Sequence, residues 1–135
     1  MARTILKELN HPDKEISILF VDDRQIRDLN NKFLKRNFPT NVISFPMAQG
    51  EFSEITPHLL GDVVISVETA MKEAQESGLS LEQEIVFLLI HGILHLTGYD
   101  HTRESRKQME KVQEGLFKKL RLIRGRKPKD APSKP

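Results

Sequence analysis

Three of the chain's five histidines fall within eleven residues, in the run His91-Gly92-Ile93-Leu94-His95-Leu96-Thr97-Gly98-Tyr99-Asp100-His101. On a helix, residues four apart project from one face, one turn above the other. His91 and His95 so placed can reach a single ion at about 2.0–2.1 Å each. Gly98 supplies the positive φ that ends a helix, and the turn beyond it brings His101 round as a third nitrogen. Three neutral ligands leave zinc its full charge and an open fourth position, which is the catalytic rather than the structural arrangement. Such an ion lowers the pKa of a bound water or polarises a phosphoryl oxygen. With no ligand carboxylate to offset the metal, the site suits an anionic substrate. Zinc is the expected ion, although imidazole also accepts nickel, copper or iron.

The spacing matches the metzincin pattern at its histidines and its glycine. Metzincins place a glutamate directly after the first histidine as general base, and here that residue is Gly92. The chain has no cysteine, so it has neither a thiolate nucleophile nor a cysteine ligand. Packing alone is a poor account of the cluster, because imidazoles buried among Ile90, Ile93 and Leu94 leave several ring nitrogens in need of partners.

The elements that must position these residues follow from the pattern. Ile5, Leu6 and Leu9 mark a short first helix, broken at Asn10-His11-Pro12-Asp13. Residues 16–21 (ISILFV) read as a strand. Asp22 or Asp23 caps a helix with Ile26, Leu29 and Phe33 on one face, ending before Asn37-Phe38-Pro39. Residues 42–45 form a second strand ended by Pro46, residues 47–60 a loop, and residues 63–65 a third strand after a turn at Gly61-Asp62. Ser66 caps a helix running to Gly78. Ser80 and Gln83 form a capping box at the head of the most apolar helix, Leu81 to about Thr97. Apolar residues run nearly all round it, so it is the buried central helix. Thr102 caps a last helix with the stripe Met109, Val112, Leu116, Leu120 and Ile123. Strands early and long helices late predict an α+β fold, a small mixed β-sheet packed with helices.

A chain of 135 residues is one domain by length. Residues 118–135 hold eight of the 21 basic and one of the 19 acidic residues, which leaves residues 1–117 at −5 and the tail at +7. The division expected is a single metal-dependent hydrolase domain over 1–117, with a basic helix end and flexible tail over 118–135. Such a tail is a solvated terminus that can add a sequence-blind phosphate contact. The first residues lack the pattern of a signal peptide and no apolar run approaches a membrane span, so a cytoplasmic protein without a membrane role is expected.

The run from His91 to His101 resembles the H-G-x-L-H-L-x-G-Y-D-H signature of the YbeY endoribonucleases, bacterial ribosomal-RNA maturation factors. Leu29-Asn30 through Pro39-Thr40-Asn41-Val42-Ile43-Ser44-Phe45-Pro46 and the stretch Leu60 to Ser66 are similar in order and spacing, so the resemblance spans roughly residues 15–115. It implies a zincin-like fold whose central helix carries the metal histidines, with zinc on His91, His95 and His101. It also implies cleavage of single-stranded RNA in small-subunit rRNA 3′-end processing and ribosome quality control. The implied location is the cytoplasm, with the ribosome as partner. One position departs: where the family often has arginine after the aromatic, Phe33 is followed by Leu34, and Lys35 and Arg36 are the candidates to contact substrate in its place.

The expected chemistry is metal-assisted phosphodiester cleavage at His91, His95 and His101. Asp100 either orients a ligand histidine or caps the turn into the last helix. Tyr99 either donates to substrate or packs under the metal, and His58 either faces the cleft or is an exposed loop residue. With no tryptophan, one tyrosine, and the phenylalanines on expected core stripes, RNA binding should rest on phosphate contacts and weaken steeply with salt. The alternatives are a non-catalytic zinc-binding ribosome-assembly factor and a metallopeptidase lacking the usual base.

Overall fold

The computed structural model describes residues 1–47, 58–99 and 102–120 in full, and the helical backbone of residues 121–124. Eight elements follow in the expected order: α1 (Ala2–Glu8), β1 (Glu15–Val21), α2 (Asp23–Leu34), β2 (Val42–Pro46), β3 (Leu59–Ser66), α3 (Val67–Ser77), α4 (Leu81–Leu96) and α5 (Arg103–Arg124). The sheet order is β1-β3-β2, with β1 parallel and β2 antiparallel to β3. It is the small mixed sheet of an α+β fold.

β3 is the spine of the molecule, and its alternation builds both sides of the sheet. Val63 and Ile65 join the main core with α1, α4 and α5, through Ile5, Leu89, Ile90, Ile93, Met109 and Leu120. Val64 points the other way, to Val21, Ile26 and Ile43 beneath α2. β3 is longer than its apolar run suggests: Asp62, expected in a turn, is a strand residue paired with Ser17 and Phe45. Residues 48–57 of the expected loop lie outside the described residues.

The helix starts are local chemistry. Asp22 caps α2 in a capping box with Gln25. Asp23 instead accepts from the Ser66 and Thr69 hydroxyls, both at 2.5 Å, tying α2 to the start of α3. Those hydroxyls, Ser66 first, hold the Asp23 carboxyl below the usual carboxylate range. Ser80 and Gln83 cap α4 reciprocally, and Thr102 caps α5 through the Ser105 amide.

α4 is the buried helix, with Val86, Leu88, Leu89, Ile90, Ile93 and Leu94 enclosed. It lies against β2, β3, α3 and α5. Leu116, Phe117 and Leu120 of α5 are buried too, so the packed helix continues past residue 117. Residues 125–135 lie outside the described residues. Among the described residues no single helix is long and apolar enough to cross a membrane. The expectation that the phenylalanines are core fails at three positions: Phe20, Phe33 and Phe38 are 52%, 54% and 53% exposed. The α2 stripe runs past the point where the sheet can cover it fully, and Phe33 makes a T-shaped contact with Phe45, ring centres 5.4 Å apart.

Candidate functional site

The histidine site begins with how closely α4 seats on the sheet. A side chain at Gly92 would bring its Cβ to 2.7 Å from Val63 Cγ1 and 3.2 Å from Ser44 Oγ. With no side chain there, the Ser44 hydroxyl donates to the Gly92 carbonyl at 2.9 Å. The glutamate that a metzincin carries after its first histidine has no room in this fold.

About a quarter-turn round the helix from Gly92, His91 and His95 are half-buried on one wall of an open cleft of about 570 Å³. Their Nε2 atoms stand 3.2 Å apart. Two nitrogens each about 2.05 Å from one tetrahedral ion lie about 3.3 Å apart, so the pair fits a shared metal. The outer ring nitrogens face acceptors. His95 Nδ1 lies 3.2 Å from the Tyr99 carbonyl, and His91 Nδ1 lies 3.4 Å from Gln113 Oε1. Gln113 is buried, and its Nε2 donates to the Phe87 carbonyl at 3.3 Å, which turns its oxygen toward His91. With Nδ1 of each ring donating outward, each Nε2 carries a lone pair toward the other. Acceptors behind ligand histidines hold metal sites in this way.

Gly98, at φ 119°, ends the helix and turns the chain so that the Tyr99 carbonyl reaches His95. The Tyr99 side chain packs at the margin of the core. His101 and Asp100 lie outside the described residues. Among the described residues no group of three metal-ligating side chains comes together. His58 is exposed beside Glu15 at 3.6 Å and does not line the cleft.

Lys35 and Arg36 are both exposed, at the end of α2. Lys35 is the left-handed C-cap, at φ 60°. Neither lines the histidine cleft, where Arg106 of α5 is the one cation among the described lining residues. Arg106 and Gln113 of the cleft wall are not among the residues the sequence singles out, and Asn41 stands there only within the stretch that resembles the family. Gln113 alone left a trace, as a polar residue inside the apolar stripe of α5.

Fold and cleft together define a small α+β protein whose buried helix sets two histidine Nε2 atoms 3.2 Å apart on a cleft wall. The family model of Endoribonuclease YbeY matches residues 1–121. A relative from Syntrophotalea carbinolica, Endoribonuclease YbeY, is 48% identical over 124 residues, 90% of this chain and 83% of its own. One of the same name from Syntrophus aciditrophicus is 45% identical over 119 residues, covering 86% of this chain and 74% of its own. A solution structure of a Thermotoga maritima protein superposes with a TM-score of 0.56 at 25% identity, covering 90% of this chain and 83% of that one. The chain belongs to the endoribonuclease YbeY family.

Proposed function

We propose that this chain is a metal-dependent endoribonuclease that cuts single-stranded ribosomal RNA during maturation of the small-subunit 3′ end and in ribosome quality control. Family membership supports the RNA-cleaving activity and its place in rRNA maturation. The observation that carries the chemistry is the convergence of two imidazole Nε2 atoms at 3.2 Å on a cleft wall, each ring backed by an oxygen acceptor. His91, His95 and His101 would hold the metal, zinc in the first place, on a central helix as in zincin-like folds. A metal there supplies a Lewis acid for a phosphodiester oxygen and lowers the pKa of water.

The chain's own residues do the rest. Gln113 and the Tyr99 carbonyl keep the imidazoles aimed at one point. Arg106 in the cleft, with Lys35 and Arg36 at the end of α2, offsets phosphate charge. Asp100 is the candidate to orient a ligand histidine. The working partner is the small ribosomal subunit, and the reaction belongs to the cytoplasm. The metallopeptidase alternative loses ground to the contact at Gly92, which leaves no space for the base that chemistry needs.

The test is cleavage of a single-stranded RNA by metal-loaded protein, beside His95→Ala and a chelated sample. Both controls are expected to fall to the background rate. Cleavage by His95→Ala at the rate of the unchanged protein would refute the assignment. A folded, metal-loaded protein without activity would instead favour the assembly-factor alternative.

A further inference from the structure

The end of α2 displays two aromatic rings and three cations on one short segment. Residues 32–38 read Lys-Phe-Leu-Lys-Arg-Asn-Phe, with no acid among them. Phe33 is 54% exposed and Phe38 53% exposed, and Lys35 and Arg36 stand exposed between them. Lys32 Nζ lies 5.3 Å from the centre of the Phe33 ring, which also makes a T-shaped contact with Phe45 at 5.4 Å between centres.

The segment is held in place. Asn30, 2% exposed, donates from its side-chain Nδ2 to the Phe38 carbonyl at 2.9 Å. Its own carbonyl accepts from the Arg36 amide at 3.2 Å. A buried asparagine that grips both arms of the turn fixes where Phe38 is presented, so little ordering cost remains when a ligand meets it.

We propose that Phe33 and Phe38 form a stacking platform for unpaired RNA bases, with Lys32, Lys35 and Arg36 holding the adjoining phosphates. Rings in water beside clustered cations are the pattern of single-strand binding: every base offers a flat face to an aromatic, and the backbone supplies negative charge. The cores of protein interfaces are depleted of lysine, which makes an apolar protein partner the weaker match. The platform also gives a physical ground for preferring single strands, because a duplex keeps its base faces stacked on one another. The inference rests on the reading that the chain acts on RNA, and it replaces the expectation of recognition by phosphate contacts alone.

The test uses the full chain, stripped of metal to prevent cleavage, and a short fluorescein-labelled oligouridylate, free or paired with its complement. Phe38→Ala should weaken binding of the free strand roughly 5- to 100-fold, the range that alanine substitution at a stacking aromatic gives. Its salt dependence should stay unchanged, because the substitution removes no charge. The double change Lys35→Ala with Arg36→Ala should instead lower the slope of log affinity against log salt, by about 0.7 for each phosphate no longer neutralised. Phe38→Trp should keep the affinity. The protein has no tryptophan of its own, so the introduced indole reports alone, and its fluorescence should fall as bases stack on it. Affinity within about twofold after Phe38→Ala, or an indole that free oligouridylate leaves unchanged, would overturn the platform. An indole that responds to small subunits but not to RNA would assign the surface to a protein and overturn it equally. If the unchanged protein neither binds nor cleaves RNA, the proposed function itself falls; if it does both and Phe38→Ala has no effect, only the platform does.

Discussion

One stripe of α4 carries Glu84 near its start and His91 and His95 near its end, spaced so that all three share a face. Each end brings like groups together. Glu84 is 5% exposed and hydrogen-bonded to Glu73, whose carboxylate also accepts from Asn41 Nδ2 at 3.1 Å. Burial first, then the hydrogen bond and charge of Glu73, push the Glu84 carboxyl up to about 7. A single proton therefore settles that pair. At the other end both Nδ1 atoms face oxygen acceptors and the Nε2 atoms face each other. What settles this pair in our reading is a metal taken from solution. The carboxyl pair is completed by a proton that water always supplies, so it serves the fold. The imidazole pair, under the proposed function, would take a metal between its Nε2 atoms, and so would serve the chemistry.

The contrast between the two ends breaks most completely if the helix cannot seat. Gly92 lies beside the histidine end of the stripe, about a quarter-turn round the helix, where an added Cβ meets Val63 at 2.7 Å. Gly92→Glu places a carboxylate into that contact, where the nearest described atoms belong to Val63 and Ser44, at a cost of roughly 3–5 kcal/mol, as for an uncompensated buried charge. A urea midpoint far below that of the unchanged protein is expected, together with loss of metal binding because His91 moves with its neighbour. A midpoint unchanged by Gly92→Glu would mean that α4 does not approach the sheet this closely.

Much of this arrangement is legible in the residues. The order of all eight elements, the Ser80 capping box and the stop at Gly98 follow from rules that act within one turn of chain. The His91 and His95 pairing follows from helical spacing alone. Periodicity fails where the answer depends on how far a neighbouring layer extends. The spacing of Phe33 assigns it to the inner face of α2, but the sheet reaches it only at Phe45 and leaves it about half exposed. Asp62 looks like a turn residue because its side chain is polar, yet β3 continues through it. Glu84 and Gln113 are the informative exceptions, since a polar residue within an apolar stripe marks a place where burial needs a partner. Which partner, Glu73 or His91, depends on contacts made across the fold.

A smaller and sharper break falls on the support behind His91. Gln113→Leu keeps the side chain's bulk and removes the oxygen that faces His91 Nδ1. Metal affinity should drop about 10- to 100-fold, the usual effect of removing such a support. Gln113→Glu should restore only part of it, because a carboxylate still accepts from His91 Nδ1 but can no longer donate to the Phe87 carbonyl. Competition with a chelator of known affinity measures both. Equal affinity in all three proteins would detach Gln113 from the site and leave His95 as the better-held ligand.

The smallest effect tests the other end of the stripe. Unfolded, Glu84 ionises near its ordinary value of 4.5; folded, it holds its proton to about 7. Between those values the folded state binds more protons than the unfolded state, so this group's contribution to stability is full below 4.5 and is lost as pH rises to about 7. Asp23 works in the opposite sense and in a different window, since its lowered pKa confines its contribution to loss below 3.8. Glu84→Gln is neutral at every pH and can still donate to Glu73. The difference in Tm between variant and unchanged protein should therefore grow in the variant's favour from about pH 5 to about pH 8. The metal affinity at neutral pH should stay within about twofold, because nothing at the imidazole end is altered. A flat Tm difference across that range would mean that the carboxyl pair does not share a proton, and the contrast between a proton-filled and a metal-filled end of α4 would have to be abandoned.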